Sequence, residues 1–205
     1  MIRLDHIMYA VSDLQDGIDE IFNLTGVTAE FGGTHPGNGT RNALLSFDDS
    51  QYLEIIAPDV EQDLAGTLGE ELQRHDFSGI RTWAVAVDGF ALVTPVLDEF
   101  GYQHSIVPMH RTRPDGVKLD WQVLFVHRHP YGNFMPFFID WLDSPHPAKD
   151  TPGGCTLDAF AVELVAANNP YRDLMQALEI EVEVLEGPDA MRAVIDSPNG
   201  RILLH

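Results

Sequence analysis

Apolar and polar positions alternate with a period of two through residues 2–11, which predicts a β-strand. Ser12 and Asp13 then offer an N-cap. Leu14, Ile18, Ile21, Phe22 and Leu24 follow at helical spacing, with Gly26 as the C-cap candidate. Residues 27–31 read as extended, and 32–42 (GGTHPGNGTRN) as a turn-rich loop. Residues 43–47 and 51–57 read as strands joined by Asp48-Asp49-Ser50. The order is βαβββ. It recurs over 81–141: a strand at 81–87, a helix over 90–100 with Pro95 as a blemish, and extended segments at 102–108, 117–126 and 134–141. A third, shorter copy is expected at 156–204, with its helix at 170–178 and strands at 180–185, 190–195 and 201–204. An acidic linker with a helix at 62–74 separates the first two units. A Pro/Gly-rich stretch, 143–154, marks the strongest boundary. The predicted class is α+β. Modules 1–57 and 80–142 form one domain over 1–147, and a C-terminal extension covers 155–205. Helices on one face of such a sheet leave the other free to line a pocket.

Register then selects the candidate chemistry, because neighbouring side chains on a strand point to opposite faces. Leu4, His6, Met8 and Ala10 share one face. In the strand YLEIIA, Tyr52, Glu54 and Ile56 share another. A carboxylate in an apolar strand is costly to bury unless it is paired or coordinated. Asp140 in FFIDW repeats the feature beside Phe138, and Thr82 falls at the position matching His6. His6, Glu54 and Asp140 together would suit a borderline divalent ion such as Zn²⁺, Mn²⁺, Fe²⁺ or Ni²⁺. The competing reading makes His6 a satisfied core histidine and the two acids strand-end charges. His127 shares a face with Trp121, Val123 and Phe125, which makes it a candidate second histidine ligand or general base. His35, Arg41 and Trp121 are candidate substrate contacts, as is Arg113, which would clamp a carboxylate.

Composition narrows the partners. The chain has 205 residues, 44% of them hydrophobic and 21% charged, which excludes wholesale disorder. Twelve Lys and Arg stand against 32 Asp and Glu, a formal net charge of −20. A field of that sign repels phosphate backbones and anionic membranes, so neither nucleic acid nor membrane is an expected partner. No apolar stretch reaches a bilayer-spanning length, and the opening MIRLDHIMYAVSDL lacks the pattern of a secretory leader. Cys155 is the single cysteine, so no disulfide framework is expected and a cytoplasmic setting fits. No P-loop, dinucleotide fingerprint, nucleophile elbow or HExxH motif occurs.

DHIMYAVSDL, GGTHPGNGTRNALLSF and YLEIIAPD, in that order, resemble the opening of a glyoxalase-like domain of the vicinal oxygen chelate superfamily. RTRPDGVKLDWQ and PFFIDW resemble its second half. The resemblance covers roughly residues 1–147. It implies paired βαβββ modules around a cleft. In the metal enzymes of the group, ligands come from the first and fourth strands of each module. The positions carried over are His6, Glu54, Thr82 and Asp140, and Thr82 departs from the pattern as a poor ligand. The resemblance implies a metal-dependent lyase, isomerase or dioxygenase acting on a small anionic oxygenated substrate. Glu54 and His127 would then be the catalytic groups. The alternative is a metal-free protein that binds or sequesters a small molecule in the same cleft. A homodimer follows if the edge of the third unit pairs between chains.

Overall fold

In the computed structural model, which describes residues 2–74, 78–113, 115–165 and 169–205, the first unit runs β1 (Arg3–Ala10), α1 (Leu14–Thr25), β2 (Glu30–His35), β3 (Thr40–Ser46) and β4 (Tyr52–Pro58). Asp13 starts α1: its carboxylate accepts from the N–H groups of Gln15 at 2.8 Å and Asp16 at 3.2 Å. Gly26, in the left-handed conformation at φ 77°, ends the helix by donating its N–H to the Phe22 carbonyl. The expected loop at 32–42 is largely strand. Gly32 and Gly33 continue β2 across a register shift, and only the turn at 36–39 separates it from β3. His35, Arg41 and Asn42 are thereby held on strands. The linker helix is shorter than its pattern suggested, α2 (Leu68–Arg74), because Gly66 at φ 71° breaks the backbone ahead of it.

The second unit runs β5 (Gly79–Ala86), α3 (Thr94–Glu99), β6 (Gln103–Thr112), β7 (Lys118–His127) and β8 (Phe137–Asp140). Pro95 lies in the first turn of α3 rather than kinking its middle, since that position needs no N–H. Both units have the same internal pairing: the first strand lies parallel to the fourth, β1 to β4 and β5 to β8. They join through antiparallel β1 and β5 into one eight-stranded sheet, ordered β2-β3-β4-β1-β5-β8-β7-β6. The sheet curls until Arg111 on the edge strand β6 reaches Asn42 on β3.

The back of the sheet is the main core. Ile7, Ile55, Trp83, Val85 and Phe138 pack there against Leu14 and Ile21 of α1 and Leu97 of α3. The third unit covers this face. It consists of β9 (Thr156–Leu164), α4 (Asn169–Ala177), β10 (Glu183–Glu186), β11 (Ala190–Ser197) and β12 (Gly200–Leu204). It keeps the βαβββ order along the chain but pairs differently. Its first strand is internal, parallel to β10 and antiparallel to β11, in the order β10-β9-β11-β12. Phe160 packs on Trp83 at 5.4 Å between ring centroids. The Trp83 indole N–H and the Tyr171 hydroxyl both donate to the Phe134 carbonyl, at 2.9 and 2.7 Å. The turn between β11 and β12 caps α1, where Asn199 donates to the carbonyls of Thr25 and Asn23. The front face is left to form a cleft.

Candidate active-site cleft

The cleft has a volume of about 550 Å³. Most of its wall is apolar, from Met8, Ile56, Met109, Trp121, Phe137 and Ile139. One end is polar, built by β1, β3, β4 and the edge strand β6: His6, His35, Asn42, Tyr52, Glu54 and Arg111.

Glu54 is the centre of that end and is buried. Its Oε2 lies 3.5 Å from His6 Nε2, and its Oε1 accepts from Asn42 Nδ2 at 2.6 Å. His35 Nε2 is 3.8 Å from Oε1 and 3.3 Å from Asn42 Nδ2. The donors and acceptors form one consistent chain. Arg111 Nη1 donates to Asn42 Oδ1 at 3.2 Å, which turns the amide nitrogen of Asn42 toward Glu54 and His35. His35 Nε2 is then an acceptor, and its Nδ1–H meets Thr40 Oγ1 at 2.9 Å. Burial, the largest influence, lowers the His35 pKa, in keeping with a neutral ring. Tyr52 stacks on His6 at 4.7 Å. Its pKa is pushed well above the ordinary value, first by burial and then by Asp5 and Glu54, so its hydroxyl stays protonated.

His6 is held from behind by Asp5, a residue that strand alternation does not place beside it. The β1–β5 register slips between Leu4 and His6, leaving Asp5 as the extra residue of a bulge. Its Oδ1 lies 2.6 Å from His6 Nδ1. Its Oδ2 accepts from Trp141 Nε1 at 3.0 Å and lies 3.0 Å from His146 Nε2. Burial of the Asp5 carboxyl raises its pKa, but the two histidines outweigh that and hold it well below the usual carboxylate range. An ionised Asp5 fixes the proton of His6 on Nδ1 and aims Nε2 into the cleft.

The sequence-predicted residues divide accordingly. His6, Glu54, His35 and Trp121 meet at the cleft. Asp140 does not. It shares a face with the buried core residue Phe138, at the back of the sheet, where its carboxylate accepts from the N–H groups of Gly89 and Leu142. The cleft side of β8 carries Phe137 and Ile139, and Trp141 just beyond it continues that side. Thr82 pairs with Met8, and the residue across from His6 is Ala84. His127 is exposed at the end of β7, with Nε2 2.7 Å from Ser105 Oγ. Arg41 points away from the cleft, since Asn42 beside it faces in. Arg113 pairs with Asp150 at 2.7 Å and Asp115 at 3.1 Å, outside the cleft. Asp5 and Asn42 carry no signal of a site role in the sequence. Arg111 carries one, because the scarce cations Arg111, Arg113, Lys118 and Arg128 crowd one short segment where some of them could face an anionic small molecule, and of these Arg111 lines the cleft.

A divalent ion does not fit this donor set. His6 pairs in register with Tyr52, two residues before Glu54, and Ala84 pairs with Phe137, two residues before Ile139. The second module thus presents Ala84 and Ile139 where the first presents His6 and Glu54. Among the described residues, no group of three or more His, Cys, Asp or Glu is placed to hold a metal ion.

Residues 4–177 match the family described as glyoxalase-like domain. The chain belongs to that family. No curated protein matches it in sequence. Solved structures share the glyoxalase-like fold at low identity. A hypothetical protein from Staphylococcus aureus is 17% identical over 99% of this chain and 84% of its own, with a TM-score of 0.69. Methylmalonyl-CoA epimerase from Mycobacterium tuberculosis is 20% identical over 68% of this chain and 87% of its own, at 0.51. A Streptomyces coelicolor methylmalonyl-CoA epimerase variant in complex with 2-nitronate-propionyl-CoA is 18% identical over 67% of this chain and 96% of its own, at 0.51. Among the described residues of this glyoxalase-like protein, no helix is long and apolar enough to cross a membrane.

Proposed function

We propose that the cleft catalyses proton transfer at a carbon next to a carbonyl group of a small oxygenated molecule. Glu54 is the base, assisted by His6. The observation that carries this reading is the buried Glu54 carboxyl facing His6 Nε2 at 3.5 Å at the polar end of an otherwise largely apolar cleft. An apolar surround strengthens such acid–base groups and excludes competing water. Glu54 takes the proton from carbon, and the electron pair of that C–H bond moves onto the carbonyl oxygen. The Tyr52 hydroxyl is a donor available to that oxygen at the same end. Returning the proton to carbon regenerates Glu54. The methylmalonyl-CoA epimerases that share the fold are, by their name, isomerases.

The test is solvent-deuterium incorporation into a panel of 2-oxo acids and 1,3-dicarbonyl compounds, followed by NMR. Exchange should be catalysed by the wild type and fall by about 10²-fold or more in Glu54→Gln. Equal rates in both proteins would overturn the assignment of Glu54. Saturable binding with no exchange would instead support the metal-free binding role.

A further inference from the structure

Arg111 is the only Lys or Arg among the described residues that line the cleft, and it is only 3% exposed. Among the described residues its guanidinium has no Asp or Glu in ion-pair contact. Its side-chain hydrogen bond goes to the neutral amide of Asn42, and Glu54 is reached only through that amide. Arg113, two positions along, is by contrast doubly paired with acids. A guanidinium taken out of water without a counter-ion is costly, and the cost is recovered if an anion arrives with the ligand. The backbone is cut to make room for it. A Cβ on Gly32 would strike Arg111 Nη1 and lie 2.5 Å from Asn42 Oδ1. Gly32 has no positive φ, so it serves space rather than backbone conformation.

We infer that Arg111 receives the carboxylate of the substrate, and that the cleft takes a monocarboxylic acid with an aromatic body. This rests on the proton-transfer reading above, to which it adds the substrate class. A carboxylate matches the planar fork of a guanidinium. The body is matched by Trp121 and Trp141, 5.3 Å apart and tilted at 45°, and by Phe125 and Phe137, 6.0 Å apart. A single cation in a chain of net charge −20 suits one negative charge and disfavours ligands carrying several phosphates.

Trp121 and Trp141 line the cleft while Trp83 lies behind the sheet, so tryptophan fluorescence reports occupancy. Phenylacetate and phenylglyoxylate should bind saturably, and phenylacetamide at least tenfold more weakly. Arg111→Met should lose that tenfold for the acids and leave the amide unchanged. Arg111→Lys should fall between. Gly32→Ala, which displaces the guanidinium without removing it, should weaken the acids in the same direction. Circular dichroism of each variant checks that it folds. Failure of both acids to bind, equal affinity for acid and amide, or unchanged acid affinity in Arg111→Met would overturn the proposal. So would inorganic phosphate competing as well as phenylacetate. The two readings fail separately. Acid binding lost in Arg111→Met, with no deuterium exchange in the wild type, removes the proton-transfer reading and keeps the anchor. Exchange that depends on Glu54, with acid affinity indifferent to Arg111, removes the anchor alone.

Discussion

Five side chains at the polar end of the cleft form one network. Arg111 turns Asn42, Asn42 fixes Glu54 and His35, and the neutral His35 ring closes the chain on Thr40. Because burial lowers the His35 pKa, the unfolded chain binds its proton more readily than the folded one does. The contribution of His35 to stability is therefore present above its unfolded pKa, near 6.5, and is lost as pH falls toward its lower folded value. Urea midpoints at pH 7.5 and 5.5 check this: the drop on acidification should be smaller in His35→Gln than in the wild type. His6 and Glu54 were readable from the sequence because each breaks an apolar strand on a predictable face. Asp140 obeyed the same rule with the opposite result. Phe138 and Ile139 are both buried, so alternation through FFIDW gives the parity of the strand but not which side meets the cleft. Asp5 was hidden for another reason, since a bulge is a tertiary event that strict alternation cannot express.

The elements were read better than their ends. The repeated βαβββ order stands in the sequence because each strand carries its own period and most turns carry Gly, Asn, Asp or Pro. The hairpin of β2 and β3 looks like a loop in the sequence because its glycines resemble turn residues, while the use of Gly32 is close approach. Gly69, at the start of α2, shows the same use. Its N–H donates to the Asn38 carbonyl at 3.1 Å, and a Cβ there would collide with the Gly39 carbonyl oxygen. That contact holds α2 against the hairpin tip, and Pro36, Asn38 and Leu68 all line the cleft. Gly69→Ala should destabilise the fold by about 1–3 kcal/mol, as overpacking against rigid backbone does. Hydrogen-exchange mass spectrometry should show the loss of protection concentrated at residues 36–39.

At the scale of the whole molecule, the third unit is part of the main core. Phe160 and Tyr171 meet Trp83 and Phe134 behind the cleft sheet. Phe160→Ala should cost about 3–5 kcal/mol in urea unfolding, the range for a large aromatic removed from a core. The unfolding should remain a single transition, with tryptophan fluorescence and the far-ultraviolet signal moving together. This arrangement is not legible along the chain, because β9 to β12 repeat the order of the first two units while their pairing and docking are set by contacts distant in sequence. The departure from symmetry between the first two modules has a consequence for handedness. Two matched halves surround the cleft, yet His6 and Glu54 stand on one half and Ala84 and Ile139 on the other. A flat intermediate held between them faces the Glu54 carboxyl, its proposed proton donor, from one side only. The proposed reaction should therefore return deuterium with a single configuration at carbon, and NMR of the labelled product after coupling to a chiral auxiliary should show one deuterated diastereomer rather than two.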